Sequence, residues 1–441
     1  MMHIYLESLG CARNQVDSET MLAQLRSAGM RTTDDPAQAE AIVVNTCSFI
    51  EAAADESIDA ILNLARHKKE GRCRRLIVTG CLPERYRQEI VDALPEVDVF
   101  LGTGAYDRVV AAVRGGMAAG ACLLPDPDAI DTLRPVARQP LTAHAAYLKI
   151  AEGCSRHCTY CIIPKLRGRQ KSRPKETILH EARELIAGGA RELTLVAQET
   201  TAYGHDQTPP GHLADLLRAL AGLDPGVWLR VMYGHPESLG PDVIQALAEH
   251  ANICPYLDLP IQHASESVLR RMGRRYNEQT LLRLFEDLRA KLPGIALRTT
   301  VLVGFPGESA ADFEQLKAFI AKVRFDHLGV FAYSDAEDLP SHGLTGHVPA
   351  KRAQARVDEL MAVQRDISAE RLTRYLGRTL EVLVEERQAD DFWMGRSIYQ
   401  GPEVDGVTFI RPSTQAALAV GAKVRARVVE CMDYDLIAEA L

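Results

Sequence analysis

The sequence predicts an α/β protein built from three consecutive parts. We expect an N-terminal doubly wound parallel sheet over residues 1–118, a central partial (β/α)6 barrel over 140–375, and a small antiparallel β-barrel over 376–441. Three observations support this. Short buried strands alternate with helices in the first quarter of the chain, six more strand–helix units follow in the middle, and the last part alternates apolar with polar residues. A Gly-, Ala- and Pro-rich stretch at 119–139 is the predicted linker.

Composition narrows the class of protein. The 441 residues are 46% apolar and 25% charged, as is ordinary for a globular protein. Because the net charge is -8, we expect no broad electrostatic affinity for nucleic acid, and the predicted function requires no direct nucleic-acid binding. No apolar run approaches the roughly 20 residues of a membrane span, and the N-terminus lacks the basic region of a signal peptide. We therefore expect a cytoplasmic protein without a membrane partner. Ten cysteines in that compartment indicate metal or redox use rather than disulfides.

The N-terminal part reads as strands at 3–9, 41–45, 75–79 and 97–101, with helices at 17–28, 51–66 and 83–93. In such parallel sheets, ligands bind outside the carboxyl ends of the strands. Cys11, Cys47 and Cys81 each come just after one of the first three strands, so we expect them to converge at one edge. The alternative is that each is a small buried apolar residue.

Four other cysteines show no such placement. We interpret them as core or surface thiols without a ligand role, with Cys122 in the linker; they are Cys73, Cys122, Cys254 and Cys431.

The first strand of the central part, 147–151, leads into the loop AEGCSRHCTYCIIPKLRGR. Cys154, Cys158 and Cys161 lie in it with the spacing CxxxCxxC, which suits three irons of a 4Fe–4S cube and leaves the fourth iron open to a reacting molecule. Zinc is the alternative, but zinc prefers four ligands, and His157 lies cramped inside the same loop.

Further strands of the central part are predicted at 193–197, 228–232, 256–259, 295–303 and 327–333, and helices at 212–220, 241–249, 278–291 and 310–323. Polar residues follow several strands, where barrel enzymes carry their active sites. Gln198 and Glu199 come after the second strand, and Gln262 and His263 after the fourth. The fifth strand contributes Arg298 and VLVGFPGE, whose Gly304 and Gly307 allow close approach of the backbone to a ligand.

A long amphipathic helix at 350–375 leads into the last part, in which we read strands from LEVLVEE, SIYQG, VTFI and KVRARVVECM, for a five-stranded barrel. From Gly377 to Leu441 there are seven basic and eleven acidic residues, a net charge of −4. A module that grips nucleic-acid phosphates is expected to be basic, so this charge favours a basic protein partner. A solvated acidic face is the simpler alternative.

The cysteine loop, with Tyr160 before its last cysteine, resembles that of radical S-adenosylmethionine (SAM) enzymes. The C-terminal part resembles the TRAM module. Together with the N-terminal cysteine sheet, these features are similar to the methylthiotransferases over essentially the whole chain. The resemblance implies two 4Fe–4S clusters, with Cys11, Cys47 and Cys81 holding an auxiliary cluster and Cys154, Cys158 and Cys161 the radical SAM cluster.

The same resemblance implies two SAM molecules per turnover and a reductant such as flavodoxin or ferredoxin. One SAM methylates a sulfur species on the auxiliary cluster, and the other is cleaved to a 5′-deoxyadenosyl radical that abstracts a hydrogen from the substrate. The implied SAM contacts are Gln198, Glu199, Arg298, Gly304, Gly307 and Glu308.

Two branches of this family compete. The RimO-type modifies the β-carbon of an aspartate in ribosomal protein S-twelve, and the MiaB-type modifies an adenosine in tRNA. Four runs resemble the first branch: VDSE, NTCSFIEAA, AQETTAYG and YLDLPIQHAS. The loop 333–343 departs from its pattern, because the expected Glu-Gly-Thr portion is missing. A non-catalytic iron–sulfur scaffold that docks on the ribosome is the alternative from another class.

Overall fold

A computed structural model describes residues 1–129, 138, 140–388, 392–413 and 418–441. Its contacts divide the chain into two units, one formed by 1–141, 149–157 and 161–181, the other by 142–148, 158–160 and 182–441. Within the described residues, no helix is both long and apolar enough to cross a membrane. Residues 130–137 and 139 of the predicted linker lie outside the described residues.

The first unit contains a six-stranded, wholly parallel sheet in the order β2-β1-β3-β4-β5-β6. Its strands are β1 (His3–Ser8), β2 (Arg31–Thr32), β3 (Ala41–Thr46), β4 (Arg75–Gly80), β5 (Val99–Leu101) and β6 (Ala121–Leu123). Its helices are α1 (Ala12–Ser27), α2 (Glu51–Ala65), α3 (His67–Glu70), α4 (Cys81–Tyr86), α5 (Gln88–Ala93) and α6 (Val109–Val113). Every residue of β3 is buried, as expected of a central parallel strand covered on both faces.

Three local predictions for this sheet are wrong. Helix α1 begins at Ala12 rather than Asp17, directly after Cys11. The helix predicted over 83–93 is two helices, because Arg87 adopts a positive φ of 52° and interrupts the first. Cys122, expected in a linker, lies on β6, a three-residue edge strand paired with β5. Strands this short leave little periodicity in a sequence.

The next elements of the chain are β7 (Ala145–Lys149), the two-residue strands β8 (Ala151–Glu152) and β9 (Lys171–Ser172), and helices α7 (Ile163–Arg167) and α8 (Lys175–Ala187). Strands β8 and β9 pair with each other in the first unit.

The second unit carries the other large sheet, in the order β14-β13-β12-β11-β10-β7. Its remaining strands are β10 (Glu192–Val196), β11 (Trp228–Val231), β12 (Ile253–Asp258), β13 (Ala296–Val303) and β14 (His327–Ala332). Its helices are α9 (Leu213–Ala221), α10 (Pro241–Glu249), α11 (Glu266–Arg271), α12 (Glu278–Lys291), α13 (Ala310–Val323) and α14 (Ala350–Leu372). The predicted series of six strands is therefore found, as an open sheet.

The chain ends in a closed five-stranded barrel in the order β15-β16-β17-β19-β18. Its strands are β15 (Thr379–Arg387), β16 (Trp393–Ser397), β17 (Thr408–Arg411), β18 (Lys423–Cys431) and β19 (Leu436–Ala440). The prediction of a strand at SIYQG is wrong in its position along the chain, because β16 ends at Ser397, where that run begins. With the two parallel sheets, this barrel confirms the predicted fold class. The barrel was predicted to be antiparallel, and it differs in one place, because β17 and β19 pair in parallel.

Buried ion pairs attach the C-terminal barrel to the amino ends of the strands in the second sheet. Glu192 is the first residue of β10, and its side chain is fully buried. It accepts hydrogen bonds from Arg230 at 2.6 Å and from Arg396 of the barrel at 2.9 Å. Arg396 also donates to Glu385 at 2.5 Å. The barrel therefore lies at the edge opposite the strand ends expected to bind SAM.

We predict that Glu192→Gln lowers the free energy of unfolding by about 3–5 kcal/mol at neutral pH, because it removes the carboxylate that pairs with buried Arg230 and leaves Arg396 with Glu385 alone. Burial alone raises the pKa of Glu192, but Arg230 and Arg396 outweigh burial and lower it to about 2. A lowered carboxyl pKa stabilises the fold above the unfolded value of about 4.3, and this contribution is lost as the pH falls toward 2.

Urea unfolding followed by tryptophan fluorescence measures this effect, since both tryptophans lie in the second unit. The difference between parent and variant should shrink between pH 4.5 and pH 2. Glu249→Gln is the matched control, because Glu249 pairs with Arg218 at the surface. Equal stability of parent and Glu192→Gln at neutral pH would contradict the prediction.

Candidate cluster and SAM sites

The three N-terminal cysteines follow adjacent strands of the first sheet. Cys47 comes directly after β3, Cys81 directly after β4, and Cys11 three residues after the end of β1. A Cβ atom built on Gly10 would lie 2.7 Å from Cys47 Cβ, so the segment before Cys11 packs directly against Cys47. The structure therefore brings the cysteines to one edge of the sheet, where the sequence placed them.

Polar side chains hold these strand ends together. The Asn14 amide donates to the carbonyl oxygens of Leu9, at 3.0 Å, and Thr46, at 2.9 Å. The Thr46 hydroxyl donates to the Thr79 carbonyl at 2.6 Å and accepts from the backbone N–H of Leu82 at 3.2 Å. These bonds connect the ends of β1, β3 and β4, and so fix the backbone that carries the three thiols.

The three thiols differ in their electrostatic surroundings. Burial raises the pKa of Cys47, and raises that of Cys81 to about 12 although Arg167 opposes this. Burial acts the same way on Cys11, but Arg13, Arg167 and backbone N–H groups at the start of α1 outweigh it, so the pKa of Cys11 is lowered. A thiol with a lowered pKa ligates iron most readily, because the thiolate is the ligand.

The surroundings of these cysteines fit an iron–sulfur cluster. Cys11, Cys47 and Cys81 are not paired in disulfides. The hydroxyl groups of Ser48 and Thr79, beside Cys47 and Cys81, are buried and have no hydrogen-bond partner among the described residues, so they could donate to cluster sulfur. Among those residues, no three His, Cys, Asp or Glu side chains are close enough to share one metal ion, whereas a cube binds each cysteine through a different iron.

Backbone contacts in the first unit shape the start of the second cysteine loop. Gly153 has a φ of +77°, and a Cβ atom there would lie 2.1 Å from the Arg169 carbonyl oxygen. Cys154 N–H donates to the Gly168 carbonyl at 3.1 Å, and Arg156 N–H points to the Cys154 sulfur at 3.5 Å. The loop thus returns on itself before α7, with Cys154 partly exposed.

In the second unit, the residues after Cys158 contact a buried arginine that the sequence analysis missed. Arg274 is 9% exposed and donates to the Tyr160 hydroxyl at 2.5 Å. Its Nε and Nη1 atoms have no hydrogen-bond partner, and it has no carboxylate partner, among the described residues. A buried cation needs a counter-charge, which a thiolate-ligated cluster on neighbouring Cys158 would provide. The signal in the sequence was the run RRMGRR at 270–275.

Gln198 and Glu199 lie just past β10, at the carboxyl edge of the second sheet, where the sequence predicts them. The Glu199 side chain is almost fully buried and accepts a hydrogen bond from Ser238 at 2.5 Å. A carboxylate held in this way is preorganised for a cationic group such as an amine.

The Glu308 side chain supports the loop in which it lies. It accepts hydrogen bonds from the backbone N–H groups of Gly304 and, at 3.0 Å, of Phe305. Arg356 on α14 pairs with it at 3.0 Å, and His263 Nε2 lies 3.8 Å away. With its side chain fully buried, Glu308 shapes the backbone after β13, and its contact with SAM stays a prediction.

The two glycines of this loop face protein atoms. A Cβ atom at Gly304 would lie 2.4 Å from Ala353 Cβ, and one at Gly307 would lie 2.6 Å from Arg271 Nη1. Both glycines have a positive φ. The absence of a side chain at both glycines therefore allows close packing inside the second unit. Contact of this backbone with SAM stays a prediction.

Arg298 lies near the start of β13, opposite His327, the first residue of β14. It pairs with Asp258 at 2.8 Å and with Asp405 of the C-terminal barrel at 3.3 Å. The Asp405 side chain is fully buried and also accepts from the Tyr256 hydroxyl at 2.7 Å. These contacts give Arg298 a role where sheet and barrel meet, and lend no support to a SAM contact.

Family models match the three parts of the chain separately. Residues 3–102 match the Uncharacterized protein family UPF0004, residues 148–320 match the Radical SAM superfamily, and residues 376–441 match the TRAM domain.

Whole-length relatives decide the family. A ribosomal protein uS12 methylthiotransferase RimO from Desulfosudis oleivorans is 54% identical over 442 residues, covering all of both chains. The chain belongs to the RimO family. RimO proteins from Geobacter sulfurreducens and Clostridioides difficile are 43% and 42% identical, each over at least 98% of both chains. The prediction of the RimO-type branch over the MiaB-type branch is confirmed, and membership implies an enzyme that transfers sulfur-containing groups with SAM and a 4Fe–4S cluster.

Solved structures support the fold of this RimO chain. The radical SAM methyltransferase TsrM from Kitasatospora setae superposes with a TM-score of 0.59 at 15% identity, covering 77% of each chain. The cobalamin-dependent SAM radical enzyme OxsB gives a TM-score of 0.53 and covers 83% of this chain and 56% of its own. At such low identity these likenesses concern the fold alone.

Proposed function

We propose that this protein is a radical SAM enzyme that adds a methylthio group to the β-carbon of an aspartate in ribosomal protein uS12, the S-twelve protein named above. The observation that carries the proposal is the convergence of Cys11, Cys47 and Cys81 in a chain 54% identical, end to end, to a uS12 methylthiotransferase. Ribosomes are cytosolic, so the reaction would take place there.

We assign the auxiliary 4Fe–4S cluster to residues 1–118, the radical SAM cluster to 140–375, and the TRAM-like barrel to 376–441, with a linker at 119–139. Cys11, Cys47 and Cys81 would hold the first cluster, and Cys154, Cys158 and Cys161 the second. When bound, these groups supply a methylthio donor and a 5′-deoxyadenosyl radical, which takes a hydrogen atom from the substrate carbon.

The chain's own residues hold and orient these groups. The bonds between the ends of β1, β3 and β4 keep three thiols at one sheet edge, and Gly153 lets the second cysteine loop turn tightly. Glu199, which accepts a hydrogen bond from Ser238, would receive the SAM amino group, beside Gln198. The backbone from Gly304 to Glu308, including Gly307, would line the nucleoside end.

The substrate, ribosomal protein uS12, would dock on the C-terminal barrel, whose described surface carries no excess of either charge. Among described residues of the barrel that are exposed, acidic and basic side chains are equal in number; they are Glu381, Glu386, Glu403, Glu430 and Asp433 against Arg378, Arg387, Arg411, Arg425 and Arg427. Buried Asp405 and paired Glu385 account for part of the negative charge counted from the sequence. A flavodoxin or ferredoxin would supply the electron.

Mass spectrometry of uS12 and of bulk tRNA, from cells with and without this gene, tests the proposal. We expect uS12 to lose the mass of one methylthio substitution in the deletion strain, and the parent gene, but not Cys154→Ala, to restore it. Loss of methylthiolated adenosine from tRNA with uS12 unchanged would overturn the proposal in favour of the MiaB-type reaction.

A further inference from the structure

Arg167, the last residue of α7, is among the largest fully buried side chains of the described residues. Its guanidinium donates through Nη2 to Asn14 Oδ1 at 2.5 Å and approaches the Cys81 sulfur at 3.8 Å. Through Nη1 it donates to Asp17 at 2.9 Å. All of these residues belong to the first unit. One arginine next to the second cysteine loop therefore contacts a cysteine of the N-terminal sheet.

The charges around Arg167 balance without the cysteine. Glu152 accepts from Arg167 Nη1 at 3.0 Å and from Lys149 at 2.8 Å, and Lys149 also donates to Asp17 at 2.5 Å. In these contacts of the described residues, two carboxylates face two cations. The contact from Arg167 Nη2 to the Cys81 sulfur is not needed to neutralise these carboxylates. It therefore acts on the sulfur itself, as a hydrogen bond from a charged donor.

The position of α7 along the chain adds a second constraint. The helix begins two residues after Cys161 and is anchored by the Thr103 hydroxyl, which donates to the Leu166 carbonyl at 2.7 Å. The Arg167 backbone is therefore held, and its side chain cannot leave Cys81 without breaking three other hydrogen bonds.

We propose that Arg167 is a positioning residue for the auxiliary cluster: its guanidinium donates to the Cys81 sulfur, orients that ligand and raises the reduction potential of the cluster that Cys81 helps to hold. This inference rests on the proposed function, since it takes Cys81 as a ligand. Hydrogen bonds and positive charge at a ligand sulfur stabilise the reduced, more negative form of a cluster. Arg167 acts through Cys81 and does not itself ligate iron.

The test uses the full chain with Cys154, Cys158 and Cys161 all replaced by Ala, so that only the auxiliary cluster can load. In this parent we compare Arg167→Lys with the double variant Arg167→Met and Asp17→Asn, which keeps the buried charges balanced. The measurements are iron per chain, the midpoint potential and the electron paramagnetic resonance spectrum of the reduced cluster, under anaerobic conditions.

We expect the double variant to show a lower midpoint potential and a changed spectrum, and Arg167→Lys, which keeps the charge but loses the planar fork, to fall between it and the parent. If the double variant does not fold, Arg167→Lys alone carries the test. Arg138→Met is the control, because Arg138 is equally buried and pairs with Glu19 and Glu181 rather than with sulfur. It should reduce stability and leave the potential unchanged.

The outcomes separate the inference from the function on which it rests. A parent that loads iron, with Arg167 variants of unchanged potential and spectrum, would overturn the role of Arg167 and leave the two-cluster function standing. A parent that loads no iron would overturn the auxiliary cluster itself, and the role of Arg167 with it.

Discussion

Cys154→Ala should abolish cleavage of SAM to methionine and 5′-deoxyadenosine, whereas Cys11→Ala should keep cleavage and lose only the methylthio product. Each cysteine of a triad would bind a separate iron, and the loop AEGCSRHCTYCIIPKLRGR contains no fourth cysteine to replace Cys154. Since loss of an outer residue already weakens metal sites 10- to 100-fold, removal of a direct ligand should reduce cleavage by at least about 100-fold.

Reconstituted protein reduced with dithionite in the absence of oxygen provides the measurement, with 5′-deoxyadenosine and modified uS12 quantified by mass spectrometry. Cys73→Ala is the matched control, because Cys73 is a buried thiol before β4, at the opposite end of that strand from Cys81. Full product formation by Cys11→Ala would refute the two-cluster assignment, and parental cleavage by Cys154→Ala would refute the assignment of the loop.

The second large effect is expected from a single methyl group. In Gly153→Ala the new Cβ atom would lie 2.1 Å from the Arg169 carbonyl and 2.6 Å from that of Gly168, both backbone atoms that cannot rotate away. The positive φ adds about 1–2 kcal/mol for any residue with a side chain. The loop must open to relieve the clash, so Cys154 leaves its position, and iron binding at this loop and SAM cleavage should be lost.

Gly120→Ala separates the two contributions. Gly120 has nearly the same φ, +73°, and a Cβ atom there meets nothing within 4 Å, so this variant bears the backbone cost alone. Thermal unfolding, iron per chain and SAM cleavage should show a slightly less stable but active Gly120→Ala beside an inactive Gly153→Ala. Equal activity of the two variants would mean that the loop tolerates the displacement.

The strands, and the position of three cysteines at one sheet edge, could be predicted because their signals are local. Runs such as AIVVN are apolar over the length of one strand, and each of Cys11, Cys47 and Cys81 directly follows such a run or its turn. Parallel topology then brings residues more than 30 positions apart to one sheet edge. The CxxxCxxC loop can be recognised from its spacing alone, and its role as a cluster ligand stays a prediction.

What could not be predicted depends on partners distant in sequence. From the sequence, Arg298 is predicted to lie at a strand end that binds SAM. In the structure it pairs with Asp405, more than 100 residues later in the chain. Arg167 reads as one of several basic residues in its loop, and its contacts with Asp17 and Cys81 span more than 80 positions. The break at Arg87 depends on a single positive φ, for which arginine gives no signal.

The buried contact of Arg396 with Glu192 bears on how proteins of this architecture can recombine. The C-terminal barrel follows the rest of the chain, so a gene fusion could in principle replace it with another barrel. An incoming barrel without a cation at that position would leave Glu192 buried with one guanidinium partner instead of two, at a cost of several kcal/mol. The residues that meet between barrel and sheet must therefore match each other. A stable chimera would need a residue at position 192, the first of β10, that suits the new barrel.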